Sequence, residues 1–232
     1  MKVLFIHHST GANLIQEGNL RDRLKSENTK IELWDHSYNL YKYFSKLLGK
    51  LTYHTGLSDN RGRLTGRDFN IYLSNNSPKE YCVIFSREPN DHILRSILDY
   101  DVILFKNCYP TSKIESDDQL QSYKRYYEEI RNNIGRFKNK KFILLPFPPL
   151  RKELTTFDNA NRAKQLNIWI NSNDFLKGNE NLKVFDLFGI LSNDNGFLKR
   201  EYRRFIPLDS HPNKRANIAI AKLLVDYLCS IV

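Results

Sequence analysis

Short apolar runs alternate with segments of helical periodicity along nearly the whole chain, and this alternation restricts the fold more than any other feature. Lys2–Ile6, Asp101–Phe105 and Lys141–Leu145 are too short for helices and rich in strand-forming residues, so each predicts a buried strand. Gln119–Phe137 and Ala160–Ile170 repeat their apolar residues with helical spacing. Strands that alternate with helices predict an α/β domain in which helices cover both faces of a parallel sheet through right-handed crossovers.

The other predicted elements are strands at Lys30–Trp34 and Leu182–Leu187, and helices around Leu14–Leu24, at Asp91–Leu98 and at Lys214–Ile231. The 232 residues suit one such domain, from residue 1 to residue 232, and contain no internal repeat. Between about residues 50 and 80 the chain is polar and glycine-bearing, which indicates a long loop or insertion. Loops of this length inside a domain are usually functional or partly disordered, and a lid over the sheet edge is one functional role.

Cysteine content and hydropathy indicate the compartment. Cys82, Cys108 and Cys229 are widely spaced and odd in number, so they form neither a disulfide framework nor a metal knuckle. No segment approaches the ~20 apolar residues that span a bilayer, and the apolar run at the N-terminus is too short for a secretory signal. We therefore expect a cytoplasmic protein with no transmembrane segment.

Three polar loops follow predicted strands or precede the final helix. They are His7–Gly11, Lys106–Ser112 and Asp209–Asn213. In a parallel α/β sheet, ligands bind at the carboxyl ends of the strands. We therefore expect these loops to meet at one edge of the sheet, although they are far apart in sequence.

These loops contain the residue types of a nucleophilic site. Ser9 follows the first strand and precedes a helix, whose free N–H groups favour developing negative charge. A serine needs a base, and His211 is the best candidate, with Asp209 close enough in sequence to orient it. Asn107 could donate its amide to an oxyanion. Each residue also has a purely structural interpretation. Ser9 could be a helix cap, and Asn107 could be part of a turn. His211–Asn213 could be a helix start, with Asn213 as the cap and Asp209 near it because of the helix dipole.

Together these residues resemble the SGNH, or GDSL-like, hydrolases. The resemblance rests mainly on Ile6–Gly11 and Asp209–Asn213, and residues 159–169 are similar to the penultimate helix of that family. It implies a three-layer, flavodoxin-like α/β/α fold and hydrolysis of an ester through a serine acyl-enzyme, without a cofactor. It also implies that Ser9 is the nucleophile, His211 the base, and Asn107 and the backbone N–H of Ser9 the oxyanion donors.

The sequence departs from the family pattern at four places. His7-His8-Ser9 replaces the usual Gly-Asp-Ser. Asp209 lies two residues before His211 rather than three. This shorter spacing could turn the carboxylate away from His211 and leave a Ser-His dyad. Gly62 is our choice among the loop glycines for the family's second oxyanion donor. Lys106 beside Asn107 replaces a small residue and could place a cation at the rim.

The chain has 36 Lys and Arg residues and 26 Asp and Glu residues, so its formal net charge is 36 − 26 = +10. The basic runs Lys138–Lys141 and Lys199–Arg204 come without any nucleic-acid-binding signature, so we predict no nucleic-acid partner. Lys199–Arg204 lies close to Asp209 in sequence, and it is either a surface loop or a site for an anionic group of the substrate. The histidines show no metal-binding spacing such as HExxH, so we predict no metal.

Three functions remain open from the sequence. The first is a cofactor-free serine esterase that acts on a small-molecule or glycan ester, with an acidic glycan or a lipid-linked molecule as possible substrates. The second is an O-acyltransferase that uses the same site on a sugar hydroxyl. The third is a catalytically weak binding module, which would hold Ser9 and His211 beyond hydrogen-bond distance.

Overall fold

A six-stranded sheet forms the centre of the computed structural model, which describes residues 1–27, 30–38, 55–71 and 77–231. The strands are β1 Lys2–His7, β2 Glu32–Ser37, β3 Gly56–Ser58, β4 Val102–Lys106, β5 Lys141–Leu145 and β6 Leu182–Val184. Their order across the sheet is β3-β2-β1-β4-β5-β6, and every pair is parallel except β2 with β3. The parallel strands follow the flavodoxin-like order, and β1 and β4 flank its topological switch point.

Helices lie on both faces of this sheet. They are α1 Ser9–Gln16, α2 Leu20–Ser26, α3 Lys79–Phe85, α4 His92–Leu98, α5 Asp117–Ile134, α6 Phe157–Ile170, α7 Asn173–Leu176, α8 Leu187–Leu191 and α9 Lys214–Ser230. The core divides into two apolar clusters, one with side chains of α1, α2, α8 and α9 and the other with side chains of α3 to α7 and Phe188 of α8. The predicted three-layer α/β/α fold is therefore confirmed. No helix within the described ranges is long and apolar enough to cross a membrane.

Successive side chains of each buried strand pack alternately into the two clusters. Val102 and Leu104 of β4 belong to the cluster of α1 and α9, whereas Ile103 and Phe105 belong to the other. All five residues of this strand are buried, because a parallel sheet is covered on both faces and its strands read as continuous apolar runs. The same alternation fixes the direction of the last side chain of the strand, Lys106.

Three elements differ from the sequence prediction. β3 adds an antiparallel edge to the sheet that was predicted to be parallel. Leu182–Leu187 is not one strand, because the Asp186 side chain accepts a hydrogen bond from the N–H of Gly189 and caps α8. Within the predicted insertion, Gly56–Ser58 is a strand, and the helix Lys79–Phe85 begins at the end of the insertion. Residues 50–54 and 72–76 lie outside the described residues.

Candidate active site

Ser9 is the first residue of α1, directly after β1 and the single linking residue His8. The first N–H groups of a helix have no acceptor within the helix, so the backbone of Ser9 can offer a donor to a ligand. Gly11 is required in this tight strand-to-helix turn, because a Cβ at that position would clash with the side chain of His7.

The side chains of Ser9, His211 and Asp209 form a hydrogen-bonded chain. The Oγ atom of Ser9 lies 2.7 Å from Nε2 of His211, and Nδ1 of His211 lies 2.5 Å from Oδ1 of Asp209. Because a carboxylate only accepts hydrogen bonds, Nδ1 carries the proton and Nε2 accepts the proton of Ser9. This is the arrangement of a nucleophile, a base and an orienting acid.

The two-residue spacing between Asp209 and His211 is accommodated by a single carboxylate oxygen. Oδ1 of Asp209 accepts both the side-chain hydrogen bond and, at 2.8 Å, the backbone N–H of His211. Burial acts to raise the pKa of Asp209, but the hydrogen bonds from His211 and the charge of Arg204, 3.7 Å away, outweigh it and hold that pKa below its usual value. The carboxylate therefore faces His211 rather than turning away.

The elements around His211 are held by further contacts. Asn213 caps α9 by accepting a hydrogen bond from the N–H of Ala216, so His211 sits in the loop that leads into the longest helix on this face. The ring of Tyr109 meets the ring of His211 edge-on at 5.0 Å. These contacts restrict the orientation of the imidazole without using either ring nitrogen.

Asn107 is fully buried just after β4, and its side-chain amide is fixed at both ends. The hydroxyl of Tyr127 donates to Oδ1, and Nδ2 donates to the carbonyl of Ser77, each at 3.0 Å. Both partners come from distant parts of the chain, and neither was anticipated from the sequence. The role of Asn107 as an oxyanion donor stays a prediction.

Lys106 does not lie at the rim as expected. It is the last residue of β4, and strand alternation directs its side chain inward beneath the start of α1, where Nζ donates to Oγ1 of Thr10 and to the carbonyl of Asn107. Burial lowers its pKa to about 8. Lys106 therefore links the backbone after β4 to the residue that follows Ser9.

Gly62 lies elsewhere, in an exposed turn next to the edge strand β3. Its φ of 79° is a left-handed conformation that favours glycine, and its N–H donates to the carbonyl of Asp59 at 2.8 Å. A Cβ at Gly62 would meet the side chain of Arg21. The turn accounts for the glycine at this position, and the role of Gly62 as an oxyanion donor stays a prediction.

The basic run Lys199–Arg204 makes its described contacts within the protein. Arg203 pairs with Glu153 at 3.0 Å, and Arg204 pairs with Glu17 at 2.7 Å. Nζ of Lys199 donates to a backbone carbonyl. Three members of the run thus hold the loop that leads to Asp209, which favours the surface-loop interpretation over an anion site.

Two residues beside Ser9 were not among the site residues predicted from the sequence. Nδ1 of His8 lies 3.1 Å from Oγ of Ser9, and Sγ of Cys108 lies 3.8 Å from the same oxygen. The signal that could have found them is position, because each lies beside a chosen residue at a predicted strand end. The side chain of His7, the residue before His8, does not contact Ser9 in this way; its Nε2 atom lies 2.9 Å from Oδ2 of Asp35.

Among the described residues, no group of three or more His, Cys, Asp and Glu side chains is arranged to hold a metal ion. Asp35 is engaged by His7 and Arg21, and the Nε2 atom of His36 lies 3.1 Å from Asp68. These histidines therefore serve contacts within the sheet edge.

Comparison with known proteins identifies the fold. A GDSL-like lipase from Bacteroides thetaiotaomicron aligns with a TM-score of 0.52 at 11% identity, over 98% of this chain and 88% of the lipase. This chain has the GDSL-like hydrolase fold. A Bacteroides fragilis protein described as an acylhydrolase aligns with a TM-score of 0.51 at 10% identity, over 99% of this chain and 87% of its own.

Among the comparisons with known proteins, those of structure show the similarity to GDSL-like hydrolases. No family model matches the sequence, and no curated protein matches it. At identities of 10–11% the shared architecture shows the fold, and the assignment of a reaction depends on the geometry of the site.

Proposed function

We propose that this protein is a serine hydrolase that cleaves an ester bond of a small molecule. The observation that carries the proposal is the 2.7 Å contact between Oγ of Ser9 and Nε2 of His211, with Asp209 on the other nitrogen of the ring. A separation of about 2.6–3.2 Å is what proton transfer from nucleophile to base requires. The GDSL-like fold agrees with this chemistry.

The proposed reaction has two halves. In the first, Oγ of Ser9 attacks the ester carbonyl while His211 takes its proton, and the imidazolium then gives that proton to the departing alcohol. In the second, His211 removes a proton from water, which attacks the acyl-serine. The backbone N–H of Ser9 and the amide of Asn107 are the proposed donors to the oxyanion.

Exposed apolar side chains that precede Asp209 in the sequence favour an apolar acyl group. Phe205, Ile206 and Leu208 directly precede Asp209 and are among the most exposed large apolar residues in the described part of the chain, with 101%, 61% and 75% exposure. A contiguous exposed apolar segment beside a site favours contact with an apolar ligand. We infer that the acyl chain of the substrate lies along this segment.

Incubation with a fluorophosphonate probe and with p-nitrophenyl esters tests the proposal. We expect labelling and turnover in the wild type and loss of both in Ser9→Ala, while Ser86→Ala, at an exposed serine outside the site, behaves as wild type. Folded wild-type protein that neither turns over nor becomes labelled would contradict the proposal and support the binding-module alternative. Adding sugar acceptors separates the remaining alternative, because an O-acyltransferase would transfer the acyl group to sugar in preference to water.

A further inference from the structure

Three side chains surround the Oγ atom of Ser9. His211 accounts for one contact, and Nδ1 of His8 makes the second at 3.1 Å. The third is Sγ of Cys108, which also lies 3.5 Å from Nδ1 of His8. The serine, the second histidine and the cysteine therefore form a triangle directly at the reacting atom.

The hydrogen atoms available at this point determine the tautomer of His8. The single proton of the Ser9 hydroxyl is directed to Nε2 of His211, because the other ring nitrogen donates to Asp209. Only lone pairs of Oγ then face His8. A hydrogen bond between Oγ and Nδ1 of His8 therefore requires the proton to be on that nitrogen. The Nδ1–H group is shared with the sulfur of Cys108, a weak acceptor.

The environment of His8 keeps its imidazole neutral and oriented. Burial, together with the positive charge of Lys106, lowers the pKa of His8 to about 3. The ring also packs against the ring of Tyr38, with centroids 5.5 Å apart, and the hydroxyl of Tyr38 donates to the carbonyl of Lys106. His8 is thus a fixed N–H donor near neutral pH rather than a second base.

We propose that His8 is a second catalytic histidine, which donates a hydrogen bond to Oγ of Ser9 when that oxygen is the leaving group. The inference rests on the proposed function and adds a residue to it. A donor to Oγ stabilises negative charge there, so it makes the serine a slightly weaker nucleophile and a better leaving group. Its benefit is therefore expected in deacylation.

The proposed step conserves protons and electrons. Water, activated by His211, adds to the carbonyl carbon of the acyl-enzyme and gives a tetrahedral intermediate. When the bond between that carbon and Oγ of Ser9 breaks, its electron pair passes to Oγ, and the imidazolium of His211 returns one proton to it. His8 keeps its own proton throughout and supplies a hydrogen bond that strengthens as charge builds on Oγ.

Two substitutions of similar size separate the donor from the bulk of the ring. In His8→Asn the amide N–H can occupy the position of Nδ1, whereas in His8→Gln it reaches toward the position of Nε2. We expect deacylation of a p-nitrophenyl ester to slow by about 10- to 100-fold in His8→Gln and to stay within about threefold of wild type in His8→Asn. His92→Asn, at an exposed histidine of α4, is the matched control.

The measured quantities are the rate of acylation and the rate of deacylation, obtained separately by stopped flow. His8→Gln should show a full burst followed by slow turnover, that is, acyl-enzyme accumulation. Equal slowing of acylation and deacylation, or equal rates in His8→Asn and His8→Gln, would overturn the inference while turnover by the wild type upholds the proposed function. A wild type without turnover would overturn both.

A second measurement does not depend on activity or on the folding of variants. The ¹⁵N chemical shifts of the His8 ring in the wild-type protein, assigned by through-bond correlation to the backbone resonances of His8, report which nitrogen carries the proton. We expect the neutral Nδ1–H tautomer at neutral pH. The Nε2–H tautomer, or an imidazolium, would overturn the inference even if the variants fail to fold.

Discussion

Replacing Asp209 with Asn tests whether the carboxylate acts in catalysis despite its unusual position in the sequence. The substitution keeps the size of the side chain and an oxygen that can accept from the backbone N–H of His211. It removes the negative charge that faces the imidazolium during proton transfer. The structure therefore predicts a loss in kcat with little change in KM, because Asp209 touches the base and not the substrate.

The size of this effect follows from the separation of the two charges. Nδ1 of His211 and Oδ1 of Asp209 are 2.5 Å apart, so the charge centres lie roughly 4 Å apart, worth about 4 kcal/mol at an effective dielectric of about 20. Since the two side chains are 23% and 22% exposed, screening by solvent reduces this to about 2–4 kcal/mol. We expect kcat to fall by about 30- to 1000-fold.

The assay is steady-state hydrolysis of p-nitrophenyl acetate across neutral pH, with circular dichroism to verify folding. Glu153→Gln is the matched control, because that carboxylate pairs with Arg151 and Arg203 instead of His211. Activity of Asp209→Asn within about threefold of wild type would refute the reasoning, since it would mean a Ser-His dyad that does not use the carboxylate.

Three further predictions concern pH and substrate. Burial lowers the pKa of His7 and of His8 to about 3. The unfolded chain therefore binds more protons than the folded protein between about pH 3 and 6.5. Urea denaturation should show that the free energy of unfolding rises with pH across this window, and that it rises less steeply in His8→Asn. The lowered pKa of Lys106, about 8, makes the unfolded chain bind more protons above that pH as well. Stability should therefore rise by about 1–3 kcal/mol between about pH 8 and 10, a rise that Lys106→Met should lack and whose persistence in that variant would contradict the assignment. Phe205→Ser/Leu208→Ser should lose activity toward hexanoate esters by about 3- to 30-fold while acetate hydrolysis is kept, and equal losses on both would count against an acyl-binding segment.

The convergence of Ser9 and His211 was predictable because it follows from topology. Strand β1 and the loop before α9 both end at the carboxyl edge of a parallel sheet, so the alternation of elements is enough to bring the two residues together. The contact of Asp209 was not predictable, because it depends on the local turn that lets one oxygen reach both the backbone and the ring of His211. Sequence spacing alone left the triad and the dyad open.

The errors in the sequence prediction have physical causes. Lys106 was expected at the rim because the apolar run before it ends at Phe105, yet strand pairing continues for one more residue and turns the side chain inward. The contacts of Asn107 with Ser77 and Tyr127 join segments far apart in sequence, which no local pattern reports. Gly62 was chosen as one of several loop glycines; its positive φ places it in a turn, and its role as an oxyanion donor stays a prediction.

The most direct test of the account is the identity of the atom that carries the acyl group. Rapid quenching of the enzyme with an activated ester, followed by peptide mass mapping, distinguishes Ser9 from Cys108, whose sulfur lies only 3.8 Å from the serine oxygen. We expect a single adduct on Ser9, absent in Ser9→Ala and accumulating in His8→Gln. An adduct on Cys108, or no adduct in protein that turns over the ester, would contradict it.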